Sequence, residues 1–357
     1  MSTDRPLIVA VTLGTRGDVA PFCAAGMHLV AHGYRFRLVA PTTGQRLAER
    51  CGLEFAALNA DNAGDALQDD SVARLAGAGV LGTLRNIPRM RGMAQRHVGR
   101  LMARTAEAAS DADLVLWHWF LPFAAWVAEA RGKPALMVAP QPVAATPLHP
   151  LPVVPAASLG GPLNRASYHL PRLPSLLLRG AFNDFRNGLG LPPLGRFAHP
   201  FPPGTPAFLA CSPALLPPGM SLPEGTEAGG ALPLHLGKDW TPGDDLQRFL
   251  DAGPPPVYLG FGSLPYVPRH ARSALAEGLA HWGGRAILFK GGAKLKLPQG
   301  ERLFLTGPQP HEKLFPMTAG VVHHGGAGTL HMGLSAGRPT FNTPIVFDRQ
   351  FWGVRAR

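Results

Sequence analysis

The residues His323-His324-Gly325-Gly326-Ala327-Gly328-Thr329 could hold an anion. The β-branched pair Val321-Val322 leads into them, and Leu330, Leu334 and Ala336 follow at helical spacing until Gly337 and Pro339. The glycines therefore fall at a strand-to-helix junction. There the first N–H groups of the helix lack intrahelical partners, and the helix dipole favours negative charge. Residues without side chains let a phosphate approach the backbone, while His324 and the Thr329 hydroxyl add donors. Such a turn also serves simply to relieve crowding between strand and helix, and the local sequence leaves both readings open.

A second junction, Gly14-Thr15-Arg16-Gly17-Asp18, follows the apolar run Leu7 to Leu13. Asp18 is the only acid near its end. A carboxyl beside water-poor aromatic walls has a raised pKa and can take a proton from a hydroxyl. Aspartate at such a place also caps a helix, here one starting near Val19. Trp117-His118-Trp119-Phe120 ends another strand. His118 reads as a second base, as a partner orienting Asp18, or as a hydrogen-bonded core histidine. Trp117, Trp119 and Phe120 are either core or an apolar acceptor pocket. Asp111-Ala112-Asp113 has the D-x-D spelling of a metal-holding motif but precedes its strand, so it reads as a surface turn with no metal implied. The absence of G-x-G-x-x-G after the first strand disfavours a dinucleotide oxidoreductase, and no P-loop occurs.

The elements that must position these residues alternate. Leu7 to Leu13, Phe36 to Ala40 and Leu53 to Leu58 read as strands separated by helices, the opening of a doubly wound parallel sheet. A basic helix from Pro88 to Ala109 precedes the strand Leu114 to Trp119, the helix Pro122 to Ala130 and the strand Pro134 to Ala139. Prolines from Pro140 to Pro155 impose a long loop. Leu163 to Gly190 is helical in two pieces broken near Pro171 and Pro174, and Ala207 to Cys211 is a short strand. Asp239 to Pro256, rich in Pro and Gly, reads as an interdomain linker. A second alternation follows: strand Val257 to Phe261, helix Arg269 to Trp282, and strands at Ala286, Leu303, Val321 and Thr340. The expectation is an α/β chain of two tandem Rossmann-like domains facing across a cleft, residues 1–238 and 257–357. Ligands bind outside the carboxyl ends of such strands.

Composition narrows the class. With 46% hydrophobic and 16% charged residues, the chain is globular. The net charge of +11 is spread thinly, and no nucleic-acid motif accompanies it, so no nucleic-acid partner is expected. Cys23, Cys51 and Cys211 are odd in number and form no C-x-x-C, which suits a reducing cytoplasm. The N-terminus does not read as a signal peptide, and the best candidate span, Leu114 to Ala130, is interrupted by His118, Pro122 and Glu129. A soluble or membrane-peripheral protein is expected.

GTRGD followed by Pro21, HHGGAGT, and Phe347-Asp348-Arg349-Gln350-Phe351-Trp352-Gly353 together resemble the GT-B glycosyltransferases. Within these, the sequence is similar to the sterol glucosyltransferase and glycopeptide- or macrolide-antibiotic glycosyltransferase group. Gln141-Pro142-Val143, the segment from Ser167 that ends in GLGLPPL, and Pro310-His311-Glu312-Lys313-Leu314-Phe315-Pro316 also fit. The resemblance implies inverting transfer of a hexose from a UDP- or dTDP-sugar to a hydroxyl of a lipophilic acceptor, with no metal and no cofactor besides the nucleotide-sugar co-substrate. It makes Asp18 the general base. It assigns the diphosphate to His324, Gly325, Gly326, Gly328 and Thr329 with help from Ser263, the base to Gly307 to His311, including Pro310, and the sugar hydroxyls to Asp348.

Three departures stand out. Asp348-Arg349, with Gln350 one place later, stands where the family has Asp-Gln, and an arginine there suits an acidic donor sugar. Met332 occupies the place of a ribose-binding acid. The sequence ends at Arg357, where relatives continue, so the second domain is expected to be incomplete. The competing readings are a catalytically silent homologue that binds nucleotide sugar or assists an active transferase, and an epimerase of the same fold.

Overall fold

The computed structural model describes residues 5–58, 95–196, 198–199, 204–261, 273, 277–279, 281–291, 301–343 and 348–356. Runs of apolar residues form parallel strands covered on both faces: β1 (Leu7–Val11) is buried at every position. β2 (Arg35–Ala40), β3 (Glu54–Ala57), β4 (Leu114–His118), β5 (Ala135–Ala139), β6 (Ala207–Leu209) and β7 (Thr226–Ala228) complete a sheet ordered β3-β2-β1-β4-β5-β6-β7. A second parallel sheet has the order β10-β9-β8-β11-β12. It contains β8 (Val257–Gly260), β9 (Ala286–Phe289), β10 (Leu303–Thr306), β11 (Gly320–His323) and β12 (Thr340–Asn342). Strand order reverses beside β1 and β4 in the first sheet and beside β8 and β11 in the second. The two candidate junctions thus occupy the topological switch point of each lobe, where open α/β sheets bind ligands.

Ten helices carry the argument below. They are α1 (Arg16–Ala31), α2 (Gln45–Arg50), α3 (95–108), α4 (Pro122–Ala130), α5 (Gly161–Ser167), α6 (Arg172–Gly188), α7 (Asp244–Asp251), α8 (His311–Leu314), α9 (Ala327–Ser335) and α10 (Arg349–Arg355). α1 begins at Arg16 rather than near Val19, because Thr15 is its N-cap. The break between α5 and α6 falls at residues 168–171. Pro174 lies within the first turn of α6, where the missing N–H costs nothing. The stretch read as a linker contains α7, whose Leu246 packs with Tyr258, Ile287 and Leu314 of the second lobe. Most of the expected helix Arg269 to Trp282 and the first part of the helix from Pro88 lie outside the described residues.

The lobes share a core: Leu330, Phe351 and Trp352 pack in one cluster with Trp117, Val143 and Leu215. Polar contacts pin the same seam. Arg355 donates from Nε to Leu215 O at 2.9 Å and from Nη2 to Leu216 O at 3.0 Å, and the Ser212 N–H donates to His331 Nε2 at 3.0 Å. The carboxylates of the D-x-D turn are engaged, Asp111 by Arg37 and Asp113 by the Leu7 N–H and Lys133. Among the described residues no helix is long and apolar enough to cross a membrane, and no cluster of three His, Cys, Asp or Glu side chains could hold a metal.

Candidate active site

Asp18 turns out to be both helix cap and free acid. Its Oδ2 accepts from the Thr15 N–H at 2.7 Å and from Thr15 Oγ1 at 3.3 Å, while Thr15 Oγ1 accepts from the Gly17 N–H at 3.4 Å. This capping box satisfies the start of α1 and fixes the carboxyl. Oδ1 has no hydrogen-bond partner among the described residues. Gly14 makes the geometry possible: its φ is +124°, and a Cβ there would lie 2.2 Å from Asp18 Oδ2. Burial pushes the Asp18 pKa up to about 6, and the charge of Asp348 adds to the rise, while the Thr15 N–H and Arg349 oppose it. A carboxyl with one oxygen tethered, one free and a pKa near neutrality suits a general base.

His118 ends β4 with only 1% of its surface exposed. Its Nδ1 accepts the Phe120 N–H at 3.4 Å, which puts the ring proton on Nε2, and that atom has no partner among the described residues. Burial lowers its pKa to about 3, so the ring is neutral. No hydrogen bond joins it to Asp18 among the described residues, and its neighbours are Phe22, Trp119 and Phe120. Trp117 and Trp119 are core residues, 1% and 3% exposed. Phe120 is 51% exposed and lies against Trp119 with ring centroids 3.9 Å apart. Of the three aromatics, Phe120 is the one that meets solvent.

In the second lobe, β11 runs into a turn with no side-chain cap. Gly325 has φ +92°, and a Cβ on it would lie 2.2 Å from Asn342 Oδ1 and 2.8 Å from Arg349 Cβ. Gly326 is the N-cap of α9, and no side chain bonds to the first turn. By helix geometry its leading N–H groups point outward unpaired. A Cβ on Gly328 would meet nothing within 4 Å, so the space before the turn is open. The His324 ring lies over Gly326, and its backbone N–H donates to Gly260 O at 3.2 Å. Burial, then Arg349, lowers the His324 pKa to about 4. Thr329 is partly buried in the first turn of α9.

α10 brings three further residues. Asp348 Oδ2 accepts from Trp352 Nε1 at 2.8 Å, and burial raises its pKa. Arg349 Nη1 is buried without a partner among the described residues, and its charge acts on Asp18, Asp348 and His324. Gln350 is partly buried on the same helix. The structure therefore gathers Asp18 from one lobe with His324, Gly325, Asp348 and Arg349 from the other. Pro310 and His311 sit further along. His311 stacks on Phe315 at 4.3 Å and accepts from Tyr258 Oη at 3.4 Å, and Pro310 abuts Gly237. Ser263 lies outside the described residues.

Two contributors escape a reading of the sequence. Arg16 is close enough to His311 and Glu312 of the opposite lobe for their charges to act on one another, although it stands inside the GTRGD motif. Asn342 donates to Arg349 O at 2.8 Å and leaves its buried Oδ1 unpaired beside Gly325. Its place at the carboxyl end of β12 was the available signal.

No family model matches the chain. O-mycaminosyltylonolide 6-deoxyallosyltransferase of Streptomyces fradiae is 32% identical over 374 residues, covering 98% of this chain and 83% of its own length. Sterol 3-beta-glucosyltransferase UGT80B1 of Arabidopsis thaliana is 30% identical over 370 residues, covering 99% of this chain. The chain spans 59% of that relative's length. Vancomycin aglycone glucosyltransferase of Amycolatopsis orientalis is 37% identical over 183 residues, 49% of this chain and 42% of its own. Among solved structures, the glycotransferase of kitacinnamycin superposes with a TM-score of 0.66 at 15% identity, covering 99% of this chain and 84% of its own. The glycosyltransferase SsfS6, complexed with thymidine diphosphate, gives 0.57 at 20% identity, covering 99% and 85%. The chain belongs to the GT-B glycosyltransferases, in the group that holds the sterol 3-beta-glucosyltransferases and the antibiotic glycosyltransferases.

Proposed function

We propose that the chain transfers a hexose from a UDP- or dTDP-linked sugar to a hydroxyl of a lipophilic acceptor such as a sterol, lipid or polyketide, with inversion and without a metal. The observation that carries this reading is Asp18 at one switch point, close enough to Arg349 for their charges to act on one another, with the uncapped turn of α9 at the other. Asp18 takes the acceptor proton, and the freed oxygen attacks the anomeric carbon. The diphosphate leaves from the opposite face toward Gly325, Gly326, Gly328 and Thr329. Its growing charge is met by fixed N–H dipoles, His324 and Arg349. Ser263, Pro310, His311, Asp348 and Gln350 complete the donor side, and Phe120, backed by the core residues Trp117 and Trp119, forms the acceptor side. Residues 1–238 form the acceptor lobe, 239–256 the linker and 257–357 the donor lobe, in a cytoplasmic protein that meets its acceptor at a lipid surface.

The names of the relatives, sterol and vancomycin aglycone glucosyltransferases among them, support the acceptor class, and the thymidine diphosphate in SsfS6 supports the donor class. The test incubates the chain with a panel of UDP- and dTDP-sugars and hydroxylated lipophilic acceptors, read by mass spectrometry. Acceptor heavier by one hexose is expected. Nucleotide binding without product would favour a silent homologue, and conversion of donor without acceptor an epimerase.

A further inference from the structure

α6 carries apolar side chains on two faces: Leu178, Phe182 and Phe185 pack on the core of the first lobe, and a second apolar set points outward. Its inner face carries Phe182 and Arg186, both buried, and Arg186 holds Glu129 of α4 with bonds of 3.0 and 3.2 Å. Its outer face presents Leu173, Leu176 and Leu177, spaced i, i+3, i+4 and exposed by 55%, 38% and 53%. Leu163 of α5 is 61% exposed, and Leu148 and Leu170 are exposed by 44% and 40%. The Pro-rich loop is fixed to α5, since Asn164 Nδ2 donates to Pro147 O at 2.8 Å and the Leu151 N–H to Ser167 Oγ at 2.7 Å.

The charge close to the leucines is positive, and the one acid of α6, Asp184, is exposed two helical turns beyond Leu177. No Asp or Glu occurs between Glu129 and Asp184. Arg165 and Arg179 are exposed, and among the described residues no ion pair engages them or Arg172. Exposed leucines rimmed by unpaired arginines match the boundary of an anionic bilayer, where acyl chains take the leucines and phosphates the guanidinium groups. Two copies of this chain pressed together here would oppose arginine to arginine. The face also adjoins the site. His149, next to Leu148, lies between Tyr168 and Phe351 with its ring 4.7 Å from that of Phe351, two residues beyond Arg349.

We propose that the outer face of α5 and α6, with Leu148 of the preceding loop, docks the protein on anionic phospholipid membranes. Docking stands by itself, and its use, delivery of a membrane-borne acceptor beside Asp18, rests on the proposed sugar transfer. The test is flotation of the full chain with phosphatidylcholine vesicles with and without added phosphatidylglycerol, beside the doubly substituted Leu173→Glu/Leu177→Glu and Arg165→Gln/Arg179→Gln chains. Binding to the phosphatidylglycerol vesicles is expected, with at least about a tenfold loss for the glutamate pair and a smaller, salt-sensitive loss for the glutamine pair. Failure of the unaltered chain to float, or equal flotation of the glutamate pair, would overturn the proposal. So would light scattering that shows a dimer broken by those substitutions with vesicles ignored. Transfer to a detergent-dispersed acceptor stays within about twofold in both variants, since neither pair touches the site. A chain that floats but transfers no sugar would leave docking intact and remove the proposed reaction, whereas one that transfers but never floats would do the reverse.

Discussion

The two strand-to-helix junctions are the same device finished in opposite ways. Each follows a buried parallel strand at a switch point, and each passes through a glycine with positive φ, +124° at Gly14 and +92° at Gly325. In the first lobe the helix start is closed by the chain's own groups: Thr15 caps α1, and Asp18 answers with its carboxylate. In the second lobe Gly326 caps α9 with nothing, and the first turn stays open. A closed junction fixes a carboxyl with one oxygen to spare. An open one leaves the leading N–H groups of a helix without a side-chain cap. In the proposed transfer, the first junction removes the proton and the second receives the leaving group, two tasks that would neutralise each other if one junction held both.

Closing the first junction incorrectly carries the largest expected effect. Gly14→Ala forces a side chain into a left-handed backbone and onto Asp18 Oδ2. The substitution is expected to cost about 2–3 kcal/mol of stability by loss of cap and strain. It should also lower turnover by about 10²-fold or more by displacing the base, measured by thermal unfolding and steady-state rates. Gly325→Ala disturbs the open junction instead. Its Cβ meets Asn342 and Arg349, so donor affinity should fall by about tenfold to a hundredfold in calorimetry while the acceptor lobe keeps its stability.

The comparison is sharpened by pH. With the Asp18 pKa near 6, kcat/KM should fall about tenfold per unit below that value. Asp348→Asn should move that limb to lower pH, because the Asp348 charge contributes to the rise. The smallest effect concerns stability. A carboxyl whose pKa is raised on folding favours the fold below its unfolded value of 3.8 and loses that contribution as pH rises through about 6. Ionised Asp18 therefore opposes folding at pH 7–8. Asp18→Asn keeps an acceptor for the Thr15 N–H, so its melting temperature should equal or exceed the unaltered chain's by about 1–4 °C there. The difference should disappear near pH 4.

Both sheets were legible because their strands are continuous apolar runs, and the junction motifs because glycine, threonine and acid recur at fixed spacing. β7 was not: Thr226, Glu227 and Ala228 carry no apolar run and gain strand geometry only by pairing with β6. The choice between cap and base at Asp18 was undecidable from spacing, since one carboxyl oxygen serves the cap and leaves the other available for the proposed base role. His118 showed its type but not its surroundings, and the proton it holds without a partner follows from the Phe120 N–H bound at Nδ1. Arg16 beside His311, and Phe351 against His149, depend on how the lobes pack, a relation between residues hundreds of positions apart that no local pattern encodes.

The division of labour is tested most directly by measuring turnover and donor affinity together in Asp18→Asn. The account predicts that turnover falls by about 10²–10⁴-fold while the dissociation constant for UDP or dTDP stays within about twofold, because the altered oxygen belongs to the closed junction and the nucleotide to the open one. Retained turnover, or a parallel collapse of affinity and turnover in a chain that still folds, would contradict it.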